Sequence, residues 1–202
     1  MNNIYINEYI DHFEKVLSAA YQNNYSLDAV TRAISYSSYF QKIEKDKDNF
    51  APIIDDVTLI KSMFPDLDID LEKLKTYKQS LWVAECYLKI QEYSGLTFEA
   101  IFMYISINEM YRYFDIYHEM DFSQILDRFN ELFKKQSVMS ILIDKYGYSL
   151  NYIAEQTGIS YETLFSLKSR RRDIKKVNAY TIIRLSAFLN VRVETLSEIQ
   201  FL

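Results

Sequence analysis

The chain has 202 residues, 49% of them apolar and 25% charged, and a formal net charge of −5. That length admits one domain, or a medium domain with a small appendage. An aromatic content of 16%, mostly Tyr and Phe, demands a buried core and excludes a disordered or collagenous chain. Only three Gly and two Pro interrupt apolar residues that recur at helical spacing, so the expected fold class is all-α.

Tyr5, Tyr9, Phe13, Val16, Leu17 and Ala20 fall at steps of three and four, which predicts one buried stripe on a helix running to about Gln22. Ser26 is placed to cap a helix over "LDAVTRAIS", and Ser37 or Ser38 another that ends in "KIEKDKD". "DKDNFAP" reads as a loop marked by Pro52, and a short helix through "DDVTLIKSMF" has to stop before Pro65. Asp66, Asp68, Asp70 and Glu72 alternate as calcium ligands do. An EF-hand loop counted from Asp66, however, needs Gly and Glu where this chain has Leu71 and Tyr77. The stretch reads as a solvated acidic connection.

From about Leu74 to Tyr93 a helix carrying Leu81, Trp82, Ala84, Cys86, Tyr87, Leu88 and Ile90 is apolar on more than one face, the mark of a central helix. Cys86 has no second thiol or nearby His and reads as a buried structural thiol. Gly95 suits a left-handed helix end, and Thr97 a cap for "FEAIFMYI" with Glu99 near the helix N-terminus. Ser106 and Glu109 form a capping box ahead of Met110, Tyr111, Tyr113, Phe114 and Tyr117. His118, Glu119 and Asp121 fall where one helix ends and the next begins, which favours capping over metal or acid–base use, since zinc needs three or four converging ligands. Asp121 or Ser123 then starts "QILDRFNELFKK".

No phosphate-cradling Gly-rich loop, nucleophile elbow, H-E-x-x-H or paired-Cys ligand set occurs. Neither enzymatic activity nor a cofactor or metal is expected. The N-terminus lacks the basic, apolar and small-residue regions of a signal peptide, and no stretch approaches the roughly 20 apolar residues that span a bilayer. A cytoplasmic protein without membrane association is therefore expected.

The charge is unevenly spread. Residues 1–136 carry 14 basic and 22 acidic side chains, a balance of −8, whereas residues 137–202 carry 9 and 6, a balance of +3. A boundary after Gln136 follows, between a larger acidic helical domain for dimerisation, sensing or partner binding and a small module to which polyanions are drawn.

That module reads as five short helical segments, "SVMSILIDKYG", "SLNYIAEQTG", "SYETLFSLKS", "AYTIIRLSAFLN" and "VETLSEI". Ala154 is followed by Gly158 and Leu164, with Ile153, Ile159 and Leu167 at the intervening apolar places. A small residue lets a second helix cross over Ala154, and Gly158 permits the positive φ of a three-residue turn. Ser160 is placed to cap the following helix, and Ile182, Leu185, Phe188, Leu189 and Leu196 complete the expected core. On these residues, positions 137–198 resemble the Cro-like, lambda-repressor-like helix-turn-helix family.

The resemblance implies a DNA-binding domain over 137–202 whose second bihelical element lies in the major groove. It assigns Ser160, Tyr161, Glu162, Phe165, Ser166 and Ser169 to base reading. Glu162 suits the cytosine amino group, the serines suit either base type, and the rings suit a thymine methyl. Lys168, Arg170, Arg171, Arg172, Lys175 and Lys176, with Ser149 and Asn151 at the start of the preceding helix, are assigned to the phosphate backbone. Where family members commonly place an acid, Asn and Gly after the reading helix, this chain has Lys168, Ser169 and Arg170. The implied function is a sequence-specific transcriptional regulator of bacterial, phage or mobile-element type, binding double-stranded DNA as a homodimer. The rival expectation is an interaction or inhibitor protein. Its acidic N-terminal domain would bind a protein target as a nucleic-acid mimic of anti-defence type, with the small module used for docking or autoregulation.

Overall fold

A computed structural model describes residues 5–46, 50–67, 74–75 and 77–198, and among these residues there are thirteen α-helices and no strand. Eight of these thirteen α-helices open on a side chain that accepts an N–H of the first turn. The protein is all-α, and none of the described helices is long and apolar enough to cross a membrane.

α1 (Ile6–Gln22) buries Tyr9, Phe13, Val16, Leu17 and Ala20, the stripe that their spacing predicts. Ser26 Oγ accepts the Ala29 N–H and opens α2 (Leu27–Tyr36); α3 (Ser38–Asp46) follows. Asp55 caps α4 (Asp56–Met63), which ends before Pro65. The acidic stretch that begins at Asp66 continues through 68–73, outside the described residues.

α5 (Lys78–Ser94) starts four positions later than the apolar pattern suggests. Tyr77 is extended, and its N–H donates to Glu14 Oε1 on α1 at 3.3 Å, a contact made across 63 residues. The helix is also less uniformly apolar than expected. Leu81 is exposed, while Val83, Ala84, Cys86, Tyr87, Leu88 and Ile90 are buried. It is nevertheless the central element, packed against α1, α6 (Phe98–Tyr104), α7 (Ile107–Tyr117) and α8 (Ser123–Lys135). Phe13, Phe40 and Phe98 meet edge-to-face at 4.9–5.6 Å beneath it, the arrangement that ring quadrupoles favour.

Local signals act as the sequence suggests. Gly95 ends α5 at φ +64°, Thr97 caps α6, and the Ser106–Glu109 capping box opens α7. His118 is the C-terminal cap of α7, its ring stacked on Phe114 at 4.3 Å, and Asp121 accepts the Ser123 N–H at the start of α8.

The remaining helices are α9 (Val138–Tyr146), α10 (Leu150–Thr157), α11 (Tyr161–Lys168), α12 (Ala179–Leu189) and α13 (Val193–Leu196). A 3-10 turn at Ile174–Lys176 precedes α12. α9 and α13 pack directly on α6. One apolar cluster runs without a break across Gln136, joining Tyr104 and Ile105 to Val138, Met139 and Leu142. Ile182, Leu185, Leu189 and Leu196 are buried as expected. Phe188 is not: it is half-buried and rests against the rings of Tyr148 and Tyr152.

Candidate nucleic-acid interface

The bihelical unit is assembled from local chemistry. Ser149 Oγ accepts the Tyr152 N–H at 3.1 Å and opens α10. Gly158 closes it at φ +64°, its N–H on the Ala154 carbonyl at 2.7 Å. Ser160 then accepts the Thr163 N–H at 3.3 Å and opens α11. Ile153, Ile159, Leu164 and Leu167 are buried between the two helices and their neighbours, and removal of their surface from water holds the crossing. Gly158 answers a second demand as well, because a Cβ there would lie 2.9 Å from Arg184 Nη2. The turn motif carries no trace of that crowding, which comes from α12.

The outer side of α11 faces solvent. Ser160, Tyr161, Glu162, Phe165 and Ser169 are exposed and Ser166 is half-buried. Their chemistry differs. Ser160 Oγ is engaged in the cap and with Thr163 Oγ1 at 3.0 Å, and Ser169 Oγ donates to the Phe165 carbonyl at 2.7 Å. Tyr161 and Phe165 stack with centroids 6.3 Å apart and planes 9° from parallel. The Arg171 guanidinium covers the Phe165 ring at 5.1 Å, which pre-orders a cation beside the aromatic pair.

The six cations at and beyond the end of α11 are a uniform run in the sequence but divide into four kinds in the structure. Arg172, Lys175 and Lys176 are exposed and have no carboxylate partner among the described residues; the Arg172 N–H donates to the Ser166 carbonyl and folds the loop against the end of α11. Arg171 lies on Phe165. Lys168 reaches Asp144 on α9 at 3.0 Å. Asn151 is exposed one position after α10 begins.

Arg170 is turned inward. Its Nη2 donates to Glu198 Oε1 and Oε2 at 2.8 and 2.9 Å and to the Tyr104 hydroxyl at 2.9 Å. Nη1 donates to the Phe133 carbonyl, and the guanidinium lies over the Phe133 ring at 4.6 Å. Its φ of +53° is the conformation glycine adopts most readily, at the place where the resemblance expects Gly. Glu198 shares the arrangement: it too has positive φ, and it accepts the Tyr104 hydroxyl at 2.6 Å and the Val138 N–H at 2.8 Å. This cluster ties the loop after α11 to α6, to the end of α8 and to the start of α9. Ser137 Oγ adds a bond to the Lys168 carbonyl at 3.1 Å. Tyr104, Phe133 and Glu198 have no local signature that marks them as partners of a basic loop.

A second tie joins α13 to the N-terminal helices. Arg192 Nη2 donates to both carboxylate oxygens of Glu44 at 2.9 Å, and the Arg192 N–H donates to Glu99 Oε2 at 3.1 Å. Glu44 is wholly buried on α3, and burial pushes its carboxyl up against the opposing pull of Arg192. Thr97 and Thr195 hydroxyls meet beside it at 2.8 Å.

Elsewhere, Cys86 is buried and burial raises its thiol far above the ordinary range. Among the described residues no three His, Cys, Asp or Glu side chains converge as metal ligands. No family model, no curated protein and no solved structure matches the chain.

Proposed function

We propose that the protein is a sequence-specific DNA-binding regulator that acts as a homodimer, with α11 laid in the major groove and the loop beyond it on the phosphate backbone. The observation that carries this reading is the open outer face of α11, which continues into Arg171, Arg172, Lys175 and Lys176 without an acidic side chain paired to any of them among the described residues. On this reading Tyr161, Glu162 and Phe165 make the base contacts, and Ser160 and Ser169 contribute chiefly through helix geometry. Ser149 and Asn151 meet the neighbouring phosphates from the start of α10. Arg170 serves the frame rather than the phosphates. One such unit reads few base pairs, so a two-fold operator with half-sites about one helical turn apart is expected.

The test is fluorescence anisotropy of the full chain against fragments of its own genome, the region upstream of its own gene included. Salt-sensitive binding with a preferred sequence is expected; absence of salt-sensitive binding to any duplex rules the reading out. A second reading, an interaction protein whose acidic helical part binds a protein target, is favoured by one observation: α11 presents no Arg, Asn or Gln, the side chains that make the commonest base-specific pairs. It requires a protein partner that is retained when Arg171 and Arg172 are neutralised.

A further inference from the structure

A cleft of about 670 Å³ opens between α1, α2, α5 and α7, on helices other than those of the bihelical unit. Its volume is that of a small-molecule site. Four tyrosines, Tyr21, Tyr25, Tyr77 and Tyr111, form much of its wall, and no Lys, Arg, Asp or Glu lines it among the described residues. Tyr21 and Tyr77 meet at 74° with centroids 5.4 Å apart, which makes a corner of two rings, and the Tyr111 hydroxyl is held by Ser80 Oγ at 2.9 Å. Asn108 supplies a neutral amide at the rim.

Behind this wall lies a buried carboxyl with no countercharge of its own. Glu14 is 1% exposed, and its Oε1 accepts Ser18 Oγ at 2.5 Å and the Tyr77 N–H at 3.3 Å, while Oε2 has no hydrogen-bond partner. The neighbouring cation, Lys15, is committed to Asp11 and Asp56 at 2.7 and 2.8 Å. Burial accordingly pushes the Glu14 carboxyl up. Ring faces carry negative potential, and a cation bound against them would favour ionisation of the carboxyl behind the wall, so the tyrosine faces and Glu14 together select for positive charge on an apolar body.

We propose that this cleft binds a small organic cation, a quaternary ammonium or arylalkylammonium compound, with the ammonium against the tyrosine faces on the Glu14 side. The proposal is independent of DNA binding. It is tested by calorimetry and ligand-observed NMR on the full chain with three probes of similar body, namely benzyltrimethylammonium, benzyl alcohol and benzoate. Saturable binding of the cation, at least tenfold tighter than the alcohol and with no binding of benzoate, is expected. Tyr21 is 67% exposed, so Tyr21→Ala leaves the core intact and should weaken the cation about tenfold. Asn108→Asp adds a carboxylate to the cleft at an exposed position in the first turn of α7, and should tighten the cation several-fold without need of any loss-of-function variant. Glu14→Gln should weaken it threefold or more. The proposal is overturned if no cation saturates the protein at millimolar concentration, if benzyl alcohol binds as well, or if Asn108→Asp leaves the affinity unchanged.

Discussion

Removing the Arg192 guanidinium leaves Glu44 with no countercharge in a site closed to water. In Arg192→Met the two 2.9 Å bonds to the Glu44 carboxylate are lost, while the backbone N–H of residue 192 keeps its bond to Glu99. Breaking a buried pair from one side costs about 3–5 kcal/mol. Glu44 still accepts the Phe98 N–H at 2.7 Å, which places the expected loss near the lower end, about 3 kcal/mol at neutral pH. For a chain of this size that lowers the melting temperature by roughly 6–12 °C. The pH dependence has a definite sign. Burial already raises the folded-state pKa of Glu44 above the usual 4.5, and loss of Arg192 raises it further. A raised carboxyl binds its proton more tightly in the folded than in the unfolded state, so its contribution is present at low pH and is lost as pH rises through the folded pKa. The cost of Arg192→Met, measured by urea unfolding against the wild type at each pH, should therefore be largest at pH 7 and shrink toward pH 4.5. Glu44→Gln combined with Arg192→Met should recover most of the stability and remove the pH dependence. A cost below about 1 kcal/mol at pH 7, or one that does not change with pH, would refute the assignment of Arg192 as the countercharge.

Replacing Arg171 and Arg172 together by Ala should weaken duplex binding to all sequences alike and flatten the plot of log affinity against log salt by about two units of slope, as read by anisotropy titrations. Arg170→Ala should instead lower the urea midpoint and leave that slope unchanged at temperatures where the protein is folded. Gly158→Ala and Gly147→Ala both impose the left-handed penalty of about 1–2 kcal/mol, but only the former also displaces Arg184, so the former should cost more by urea unfolding; equal costs would show that Arg184 yields freely. His12 is held below its usual 6.5, first by burial, with Asp56 pulling the other way, and it is bonded to the Tyr39 hydroxyl at 2.6 Å. A depressed histidine leaves the folded state with fewer bound protons than the unfolded state, so stability falls as pH drops below about 6.5. His12→Asn should flatten unfolding midpoints measured between pH 7.5 and 5.5.

The parts of the fold that were legible in the sequence are those determined within one or two turns of chain. Ser26, Thr97, Ser106 and Ser160 all close helix starts, because a short side-chain oxygen reaches the N–H three residues on whatever the rest of the molecule does. Gly95 and Gly158 mark helix ends for a similarly local reason. The start of α5 was illegible because Glu14, on another helix, takes the N–H that would otherwise extend the pattern. Of the candidate site, the exposed face of α11 was legible through the helix-turn-helix resemblance. The division of labour among the cations was not. Arg170 and Arg171 are adjacent in the chain, and only the placement of Tyr104, Phe133 and Glu198 turns one inward while Phe165 keeps the other at the surface. Arg192 and Glu44, 148 positions apart, carry no sign of each other.

Both ties to the C-terminal helices converge on α6, and its length explains their effect. Glu44 accepts the Phe98 N–H and Glu99 sits in the first turn, so two carboxylates face the positive end of the helix dipole, and Arg192 is drawn to the excess charge they leave. At the other end Tyr104 is bonded to Arg170 and Glu198. Seven residues of helix separate the two anchor points by roughly 10 Å. Two fastenings that far apart resist rotation as well as translation, which a single one does not. The loop after α11 and the start of α13 are therefore both fastened to α6, in addition to the chain connection around Gln136. On the proposed DNA-binding reading, a second copy would position its own α11 through those same fastenings to α6.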